Sequence, residues 1–287
     1  MSRRVAISST ELEFVIVSND KEQQTKSLFV GSLAKGFQAL EAFERGRREL
    51  GITDIVRITG LEKSAASRII QTLCTLGYLS RNPANRRYSL SAKVLTGAFN
   101  FLNANPIIEV AMPRLVGLSD AIGRSVALCI LSGTEVIYAV RQERREFYYP
   151  TGHIGERQPV YCTSGGRAIL SALPRDTALD ILKRSDRRKL TPHTKTDLNE
   201  LMDELKIISD QSYCIQVEEY ISNEINFAAP VFNGEGEPVA AVVISQLFRK
   251  KDVAELEAEL APLLLQTANE ISAALGAPRM AQNSKSP

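Results

Sequence analysis

Residues 52–90 read ITDIVRITGLEKSAASRIIQTLCTLGYLSRNPANRRYSL, and this stretch decides the fold of the first third of the chain. Two short segments carry apolar residues at helical spacing and are separated by a glycine turn at Gly60. A second glycine, Gly77, ends the longer segment, and two strand-like arms follow around the turn NPANR. The order of helix, turn, helix and hairpin predicts a winged helix-turn-helix.

Three helices are predicted in this part of the chain. The first covers about 32–47, where four apolar residues recur at near-helical spacing, namely Leu33, Phe37, Leu40 and Phe43. The second is short, with Thr53 as its expected N-cap and Gly60 at its end. The third covers about 63–76, with a buried stripe of Ala66, Ile69, Ile70 and Leu73.

The opposite face of the third helix carries only hydrogen-bonding side chains and no carboxylate. Its members are Lys63, Ser64, Ser67, Arg68, Gln71 and Thr72. Such a face can donate to phosphates and to base edges without repelling the DNA backbone. The alternative is a solvated helix face, which usually mixes Glu with Lys. Three arginines of the hairpin, Arg81, Arg86 and Arg87, could reach the adjacent minor groove or the phosphates.

The formal charge of the chain is unevenly distributed. Residues 27–91 hold ten Lys and Arg against five Asp and Glu, a net charge of +5, whereas the whole chain carries only +2. The rest of the chain is therefore acidic, at −3. A basic module on an acidic body is typical of proteins that meet phosphates, so we expect a double-stranded DNA partner.

Length and composition indicate an ordinary globular protein with room for two domains, since the chain has 287 residues, 44% of them hydrophobic and 24% charged. The strongest apolar runs, 239–244 and 261–265, are far shorter than the roughly 18–20 residues that span a bilayer. We therefore expect no membrane segment. Acidic residues precede any apolar stretch of signal-peptide length, so we expect a cytoplasmic protein.

The four cysteines are far apart and form no CxxC pair. They are interpreted as small buried apolar residues in a reducing compartment, the alternative being a disulfide or a zinc site. Because the chain has only two histidines, a Cys/His metal cluster has few ligands available. We expect neither a metal nor a cofactor.

The second part of the chain alternates helices with strands. A helix over 92–104 ends before Pro106 and predicts a rigid connector, because Gly/Ser-rich linker composition is absent. Beyond it the pattern predicts helices over 107–122, from about Ser164, over 197–209 and over 251–275, and strands over 126–131, 135–141, 225–232 and 238–247. This order predicts an α+β domain with a curved antiparallel sheet.

We therefore divide the chain into five parts. They are a flexible arm over 1–26, the winged helix-turn-helix over 27–91, a linker helix over 92–105, a second domain over 106–278 and a disordered tail over 279–287.

One feature of the second domain points to a ligand. At Ser164-Gly165-Gly166 the glycines let the backbone approach a ligand closely, and the N–H groups at a helix start favour an anion such as a carboxylate. An ordinary glycine-bearing helix start is the alternative. The aromatic run over 147–150, Phe-Tyr-Tyr-Pro, lies on the preceding loop, where it either stacks on a flat ligand or packs into an interface.

The order of these motifs resembles the IclR-type bacterial transcriptional regulators. The motifs are SLAKGFQALEAF at 32–43, LEKSAASRIIQTLCTLGYL at 61–79, GERQPVYCTSGGRAILSALP at 155–174 and VEEYISNEINFAAPVFNGEGEPVAAVVIS at 217–245. The resemblance covers 27 to about 278. It implies a winged helix joined by a helix to a GAF-like effector domain, in a homodimer or a dimer of dimers on inverted operator repeats.

The resemblance also implies site residues. It places the DNA-reading side chains on Lys63, Ser64, Ser67 and Arg68, in agreement with the face above. In the effector domain it nominates the Ser164-Gly165-Gly166 helix start together with Gln216, Asn226, Val243 and Ser245. Where this chain has Gln216, Asn226 and Val243, relatives often carry an acid, Cys and Ser, respectively. The effector is therefore expected to differ from theirs. Asn223 stands where the family usually has Gly, and Asn tolerates the left-handed conformation.

The expected function is that of a transcriptional regulator that responds to a small organic acid. One alternative is a DNA-binding architectural protein without a ligand, which predicts a second domain with no polar pocket. Another is an enzyme in residues 107–278, with Cys162 as nucleophile and His153 as base, although no orienting acid is evident in the pattern.

Overall fold

The computed structural model describes residues 28–44, 47–144, 152–248 and 253–278. The predicted arm over 1–26, the predicted tail over 279–287 and the aromatic run over 147–150 lie outside these described residues. The chain forms two compact units, one up to Gly97 and the other from Ala98. Among the described helices, none is both long enough and apolar enough to cross a membrane.

The first unit is a winged helix-turn-helix, as predicted. Its elements are α1 (Gly31–Glu41), α2 (Ile52–Thr59), α3 (Lys63–Thr75), β1 (Leu79–Arg81) and β2 (Tyr88–Leu90). The two strands pair in antiparallel register, with Arg81 opposite Tyr88. A small core holds the helices and the hairpin together through Ala39, Ala42, Leu50, Ile55, Ile70, Leu73 and Leu79.

Two predictions of helix ends were wrong in this unit. Helix α2 begins one residue before Thr53, with Gly51 as N-cap, because the Asp54 carboxylate accepts the Gly51 backbone N–H at 3.0 Å. Helix α1 ends at Glu41 and not near 47. The end of α2 was predicted correctly, since Gly60 adopts a left-handed conformation with φ of 68°.

The second unit contains a six-stranded antiparallel sheet between layers of helices. Its strands are β3 (Ser125–Ser132), β4 (Glu135–Gln142), β5 (Arg157–Pro159), β6 (Cys214–Val217), β7 (Glu224–Phe232) and β8 (Pro238–Leu247), in the spatial order β5-β4-β3-β8-β7-β6. Its helices are α5 (Pro106–Ile122), α6 (Ser164–Ala172), α7 (Arg175–Arg184), α8 (Leu198–Gln211) and α9 (Val253–Ala274). Helix α4 (Val94–Ala104) precedes α5 and includes the division between the two units.

The sheet is buried on both faces because its strands alternate between two apolar clusters. On β8, Val242 and Ile244 face the cluster that α5 and α9 cover. Ala241 and Val243 face the other cluster, which α6, α7 and α8 cover. The predicted α+β class and antiparallel sheet are confirmed, whereas β5, β6 and α7 were not predicted.

Helix α6 lies unusually close to the sheet at two glycines. A Cβ atom on Gly165 would overlap Cys129 Sγ and lie 3.0 Å from Val243 Cγ2. A Cβ atom on Gly166 would overlap the Val160 backbone. The missing side chains at these positions therefore serve the packing of α6.

We predict that Gly165→Ala destabilises the second unit by about 1–3 kcal/mol, since the methyl group must displace Cys129 and Val243 in a packed core. Scanning calorimetry of the full chain measures the loss. Gly117→Ala is the matched control, because a Cβ there meets nothing within 4 Å and alanine favours a helix by roughly 0.5–1 kcal/mol. Equal melting temperatures for the two variants would contradict the packing account.

Candidate nucleic-acid interface and ligand pocket

The polar face of α3 is open to solvent along its whole length. All six of its predicted donor residues are exposed, namely Lys63, Ser64, Ser67, Arg68, Gln71 and Thr72. The opposite stripe is buried at Ala66, Ile70 and Leu73 and half-buried at Ile69. Among the described residues neither Lys63 nor Arg68 forms a salt bridge. Both cationic groups are therefore available to an anionic partner.

Two hydroxyls of this face already have intramolecular partners. The Thr72 hydroxyl donates to the Arg68 carbonyl at 2.9 Å. The Ser64 hydroxyl donates to the Glu62 carboxylate at 3.0 Å, and Glu62 is the N-cap of α3. A carboxylate thus lies at the start of the helix, one residue before the face that the sequence analysis described as free of acids. A phosphate that approaches this end of the helix meets the negative charge of Glu62.

The three arginines of the wing differ in their surroundings. Arg86 is exposed at the turn, with φ of 59°. Arg81 is exposed, and its guanidinium lies 5.9 Å from the centre of the Tyr88 ring. The Arg87 guanidinium instead donates to the Glu49 carbonyl at 3.0 Å and to the Asp54 carboxylate at 2.8 Å. Arg87 therefore attaches the wing to α2, a role that the sequence analysis did not predict.

The Glu49 side chain completes this attachment. Its two carboxylate oxygens accept from the side-chain amides of Asn82 and Asn85 at 3.1 and 2.8 Å. These hydrogen bonds lower the pKa of Glu49. Leu50 and Tyr88 add a backbone bridge next to it. The wing is thus fixed against the body of the unit at both ends of its turn.

The second unit contains a polar pocket on the side of the sheet that α6 covers. It encloses about 310 Å³ including its open mouth. Its lining comes from β4, β5, β6, β7, β8, the start of α6 and two loops, and consists of Tyr138, Arg141, Gly152, Gln158, Thr163, Ser164, Gln216, Tyr220, Glu224, Asn226 and Ser245. Four of the seven predicted effector residues are among them.

Strand register explains why three of these four lie together. Gln216 pairs with Asn226 across β6 and β7, and Asn226 pairs with Ser245 across β7 and β8. Cross-strand neighbours project from the same face of a sheet. Ser164 adds the start of α6, where the first N–H groups of the helix have no intrahelical partner.

The other three predicted effector residues do not border this pocket. Val243 lies two residues before Ser245 on β8, under α6, where it packs against Gly165. Gly165 and Gly166 face the sheet and the Val160 backbone. The face of the sheet is therefore apolar beneath α6 and polar beyond its N-terminus, and the pocket begins at that change.

Several lining residues were missed by the sequence analysis, including the charged Arg141 and Glu224. Both side chains are largely buried, at 6% exposure. Burial raises the pKa of Glu224, against the effects of Asn226 and Arg141. A charged residue at an inward position of a buried strand was the available signal, since such groups are rarely buried without a role.

A buried ion pair connects two walls of the pocket. The Arg167 guanidinium, on α6, donates to both Glu219 carboxylate oxygens at 2.7 and 2.6 Å and to the Tyr161 carbonyl at 2.8 Å. Glu219 precedes the pocket residue Tyr220, and its carboxylate also accepts the Lys195 backbone N–H at 3.0 Å. This planar, bidentate contact holds the loop of Tyr220 against the helix that carries Ser164.

The cysteines and acids of the described residues do not form a reactive or metal-binding centre. All four cysteines are free thiols, and burial raises the pKa values of Cys129, Cys162 and Cys214 to about 12. A thiol of that pKa is a poor nucleophile, because the thiolate is the reactive form. No cluster of three or more potential metal ligands occurs within the described ranges.

We predict that Arg87→Ala lowers the melting temperature of the winged helix by a few degrees, since it removes the contacts to Glu49 and Asp54. Arg86→Ala is the matched control, because the Arg86 side chain is exposed and forms no hydrogen bond within the described part of the chain. Thermal unfolding followed by circular dichroism measures both. A loss at Arg86 equal to that at Arg87 would exclude the attachment role.

Two family profiles match the chain. Residues 32–83 match the IclR helix-turn-helix domain, and residues 99–273 match the bacterial transcriptional regulator IclR C-terminal domain. The second match alone covers more than half of the chain.

Individual relatives agree with the profiles. The p-hydroxybenzoate hydroxylase transcriptional activator of Acinetobacter baylyi is 30% identical over 248 residues, which cover 85% of this chain and 91% of the relative. A putative transcriptional regulator from Rhodococcus sp. RHA1 superposes with a TM-score of 0.73 at 31% identity, covering 86% of this chain and 98% of that one.

A third relative is an IclR homolog from Microbacterium hydrocarbonoxydans, solved in complex with 4-hydroxybenzoate. It superposes with a TM-score of 0.69 at 23% identity, covering 85% of this chain and 98% of its own. The relatives are transcriptional regulators, so the alternative of an enzyme in residues 107–278 was wrong. The chain belongs to the IclR family of bacterial transcriptional regulators, as a DNA-binding protein with an effector domain.

Proposed function

We propose that this regulator reads its operator through the exposed donor face of α3 and senses a small organic acid in the polar pocket of the second unit. The observation that supports the first part is the full exposure of six donor side chains on one helix face. In winged helices the recognition helix lies in the major groove, where such side chains meet base edges and phosphates.

Roles within this surface follow from the contacts of each residue. Arg68 is the candidate base reader, because its guanidinium is exposed and carries two parallel donors that match guanine. Lys63, Ser67 and Gln71 complete the groove contacts together with Ser64 and Thr72. Arg81 and Arg86 supply phosphate or minor-groove contacts from the wing, whereas Arg87 acts by holding the wing in position.

The effector part of the proposal is supported by the pocket. Arg141 and the start of α6 at Ser164 both border it, and both favour an anionic group. A DNA-binding protein without a ligand has no need of a polar cavity inside its second unit. Gln216, Asn226 and Ser245 are proposed as ligand contacts, and Gly165, Gly166 and Val243 as the packed support beneath them.

We further propose a homodimer, alone or paired into a tetramer, that acts in the cytoplasm. Helix α1 exposes Leu33 and Phe37, which lie one turn apart on one face. Helix α4 has no buried residue and exposes Leu95 and Phe99 with the same spacing. Apolar faces of this kind on helices mark surfaces for protein partners, and a second copy supplies the two-fold symmetry that an inverted operator repeat requires.

The helix α4 is the proposed transmitter between effector and operator, since it includes the division between the two units. Coupling of this type is reciprocal, so an effector that weakens operator binding is itself bound less tightly by the operator complex.

We predict that Arg68→Ala weakens operator binding by about 1–3 kcal/mol and relaxes the preference at one base pair. Arg68→Lys keeps the charge but loses the paired donors, so it is expected to lose the base preference with a smaller loss of affinity. Fluorescence anisotropy on operator duplexes with single base changes measures both effects. Arg184→Ala, which removes an exposed arginine of α7, is the charge-matched control.

An operator affinity of Arg68→Ala equal to that of Arg184→Ala would remove Arg68 from the reading surface.

We predict that Phe37→Asp and Phe99→Asp each shift the protein toward monomers at micromolar concentration, because an aspartate cannot be buried in an apolar interface without a partner. Light scattering coupled to size-exclusion chromatography measures the mass. Ile207→Asp is the control, since Ile207 is similarly exposed but belongs to a different helix, α8. Dissociation by Ile207→Asp alone would place the interface elsewhere.

A further inference from the structure

The lining of the pocket is polar to an unusual degree. Ten of the eleven described residues that border it carry a hydrogen-bonding side chain, and Gly152 is the exception. Among the described lining residues no aliphatic side chain occurs, and the only apolar surfaces of any size are the rings of Tyr138 and Tyr220. An aryl group buried there would leave several polar groups without partners, which is unfavourable in a closed site.

The backbone fixes which way the Gln216 amide points. One terminal atom of Gln216 lies 2.6 Å from the Glu219 backbone nitrogen and 2.8 Å from that of Tyr220. Backbone N–H groups can only donate, so this atom is the carbonyl oxygen. The Gln216 NH₂ group therefore faces Asn226, at 3.1 Å.

The orientation of Gln216 determines that of Asn226. The Asn226 terminal atom that faces the Gln216 NH₂ group must be its oxygen, and the same atom lies 3.4 Å from Glu224 Oε2. At 3.4 Å this contact is too long for an O–H···O hydrogen bond, so the Gln216 NH₂ group is the partner of the Asn226 oxygen. Burial raises the pKa of Glu224.

Asn226, Ser245 and Arg141 form a wall of hydrogen-bond donors along the pocket. With its oxygen toward Gln216, Asn226 has its NH₂ group left to donate, and the residue borders the cavity. Ser245, its cross-strand neighbour, adds a hydroxyl, and Arg141 adds a guanidinium. A ligand complementary to this wall offers several acceptor oxygens in addition to a carboxylate.

We propose that the effector is a hydroxylated aliphatic carboxylic acid. Its carboxylate lies toward Arg141 and Ser164, and its hydroxyl or keto oxygens accept from Asn226 and Ser245. This inference rests on the proposed effector role of the pocket. It predicts that a simple aromatic acid such as 4-hydroxybenzoate, with which one solved relative was crystallised, binds more weakly.

Matched probes test the class of ligand on the full chain. Isothermal titration and thermal-shift measurements compare a panel of four- to six-carbon aldonates, gluconate among them, with three controls. Hexanoate keeps the charge without the hydroxyls, sorbitol keeps the hydroxyls without the charge, and 4-hydroxybenzoate offers an aromatic ring. We expect at least one aldonate to bind at least tenfold more tightly than all three controls.

Variants then place that ligand in the pocket. Asn226→Leu, which is similar in shape and has no donor, is expected to weaken aldonate binding at least tenfold. Thr267→Val, which removes a buried hydroxyl bonded within α9, is the control expected to leave the affinity unchanged. If the melting temperature shows that Asn226→Leu is unfolded, Ser245→Ala tests the same wall.

The outcomes separate this inference from the function it rests on. Tighter binding of an aromatic acid than of every aldonate, with release of the operator, overturns the ligand class and leaves the effector role standing. Aldonate binding that neither Asn226→Leu nor Ser245→Ala weakens also overturns the proposed wall. If no acid of either class binds while the operator is still bound, both the ligand class and the effector role fail.

Discussion

The second unit depends on how closely helix α6 approaches the sheet. Gly165 and Gly166 bring the helix backbone into contact with Cys129, Val243 and the Val160 backbone, at a distance that no larger residue permits. This contact decides where the helix begins relative to β8. Helix α6 covers the sheet only up to the residues just before Ser245. At that point the face of the strands that α6 covers changes from apolar to polar. The pocket is a consequence of this packing.

The buried pair of Arg167 and Glu219 extends the same constraint to the opposite wall. Removing two charges from water costs free energy. The bidentate geometry of this pair and its further hydrogen bonds with the Tyr161 carbonyl and the Lys195 backbone N–H offset that cost. Arg167 belongs to α6, and Glu219 belongs to the loop of Tyr220. Ligand-facing residues on both sides are thus tied to one rigid contact, which suits a site that must distinguish similar small molecules.

The winged helix follows a different arrangement, in which the proposed reading surface and the residues that support it are separate. Arg68 and its neighbours on α3 are exposed and largely unpaired, as a surface that exchanges water for DNA requires. Glu49, Asp54 and Arg87 are bonded to one another or to the wing, and they hold its turn in place. Two arginines that are adjacent in sequence therefore differ in their surroundings: Arg87 is bonded to Glu49 and Asp54, whereas the Arg86 side chain is exposed.

The amino-acid sequence by itself determined most of the helices, the winged hairpin, the long strands and the donor face of α3, because each depends on local spacing of apolar and polar residues. It also indicated the left-handed conformation at Asn223, whose φ is 63°. Only the tertiary structure decided which residues border the pocket. Cross-strand register placed Gln216 and Ser245 beside Asn226, and the folding of the sheet brought Arg141 of β4 to the same pocket. The close approach of α6 removed Gly165 and Val243 from the lining. All of these arrangements depend on contacts between segments far apart in the chain. Contacts of this kind also determine the short edge strands β5 and β6 and the pairing of Arg87 with Asp54. No local sequence pattern therefore predicted them.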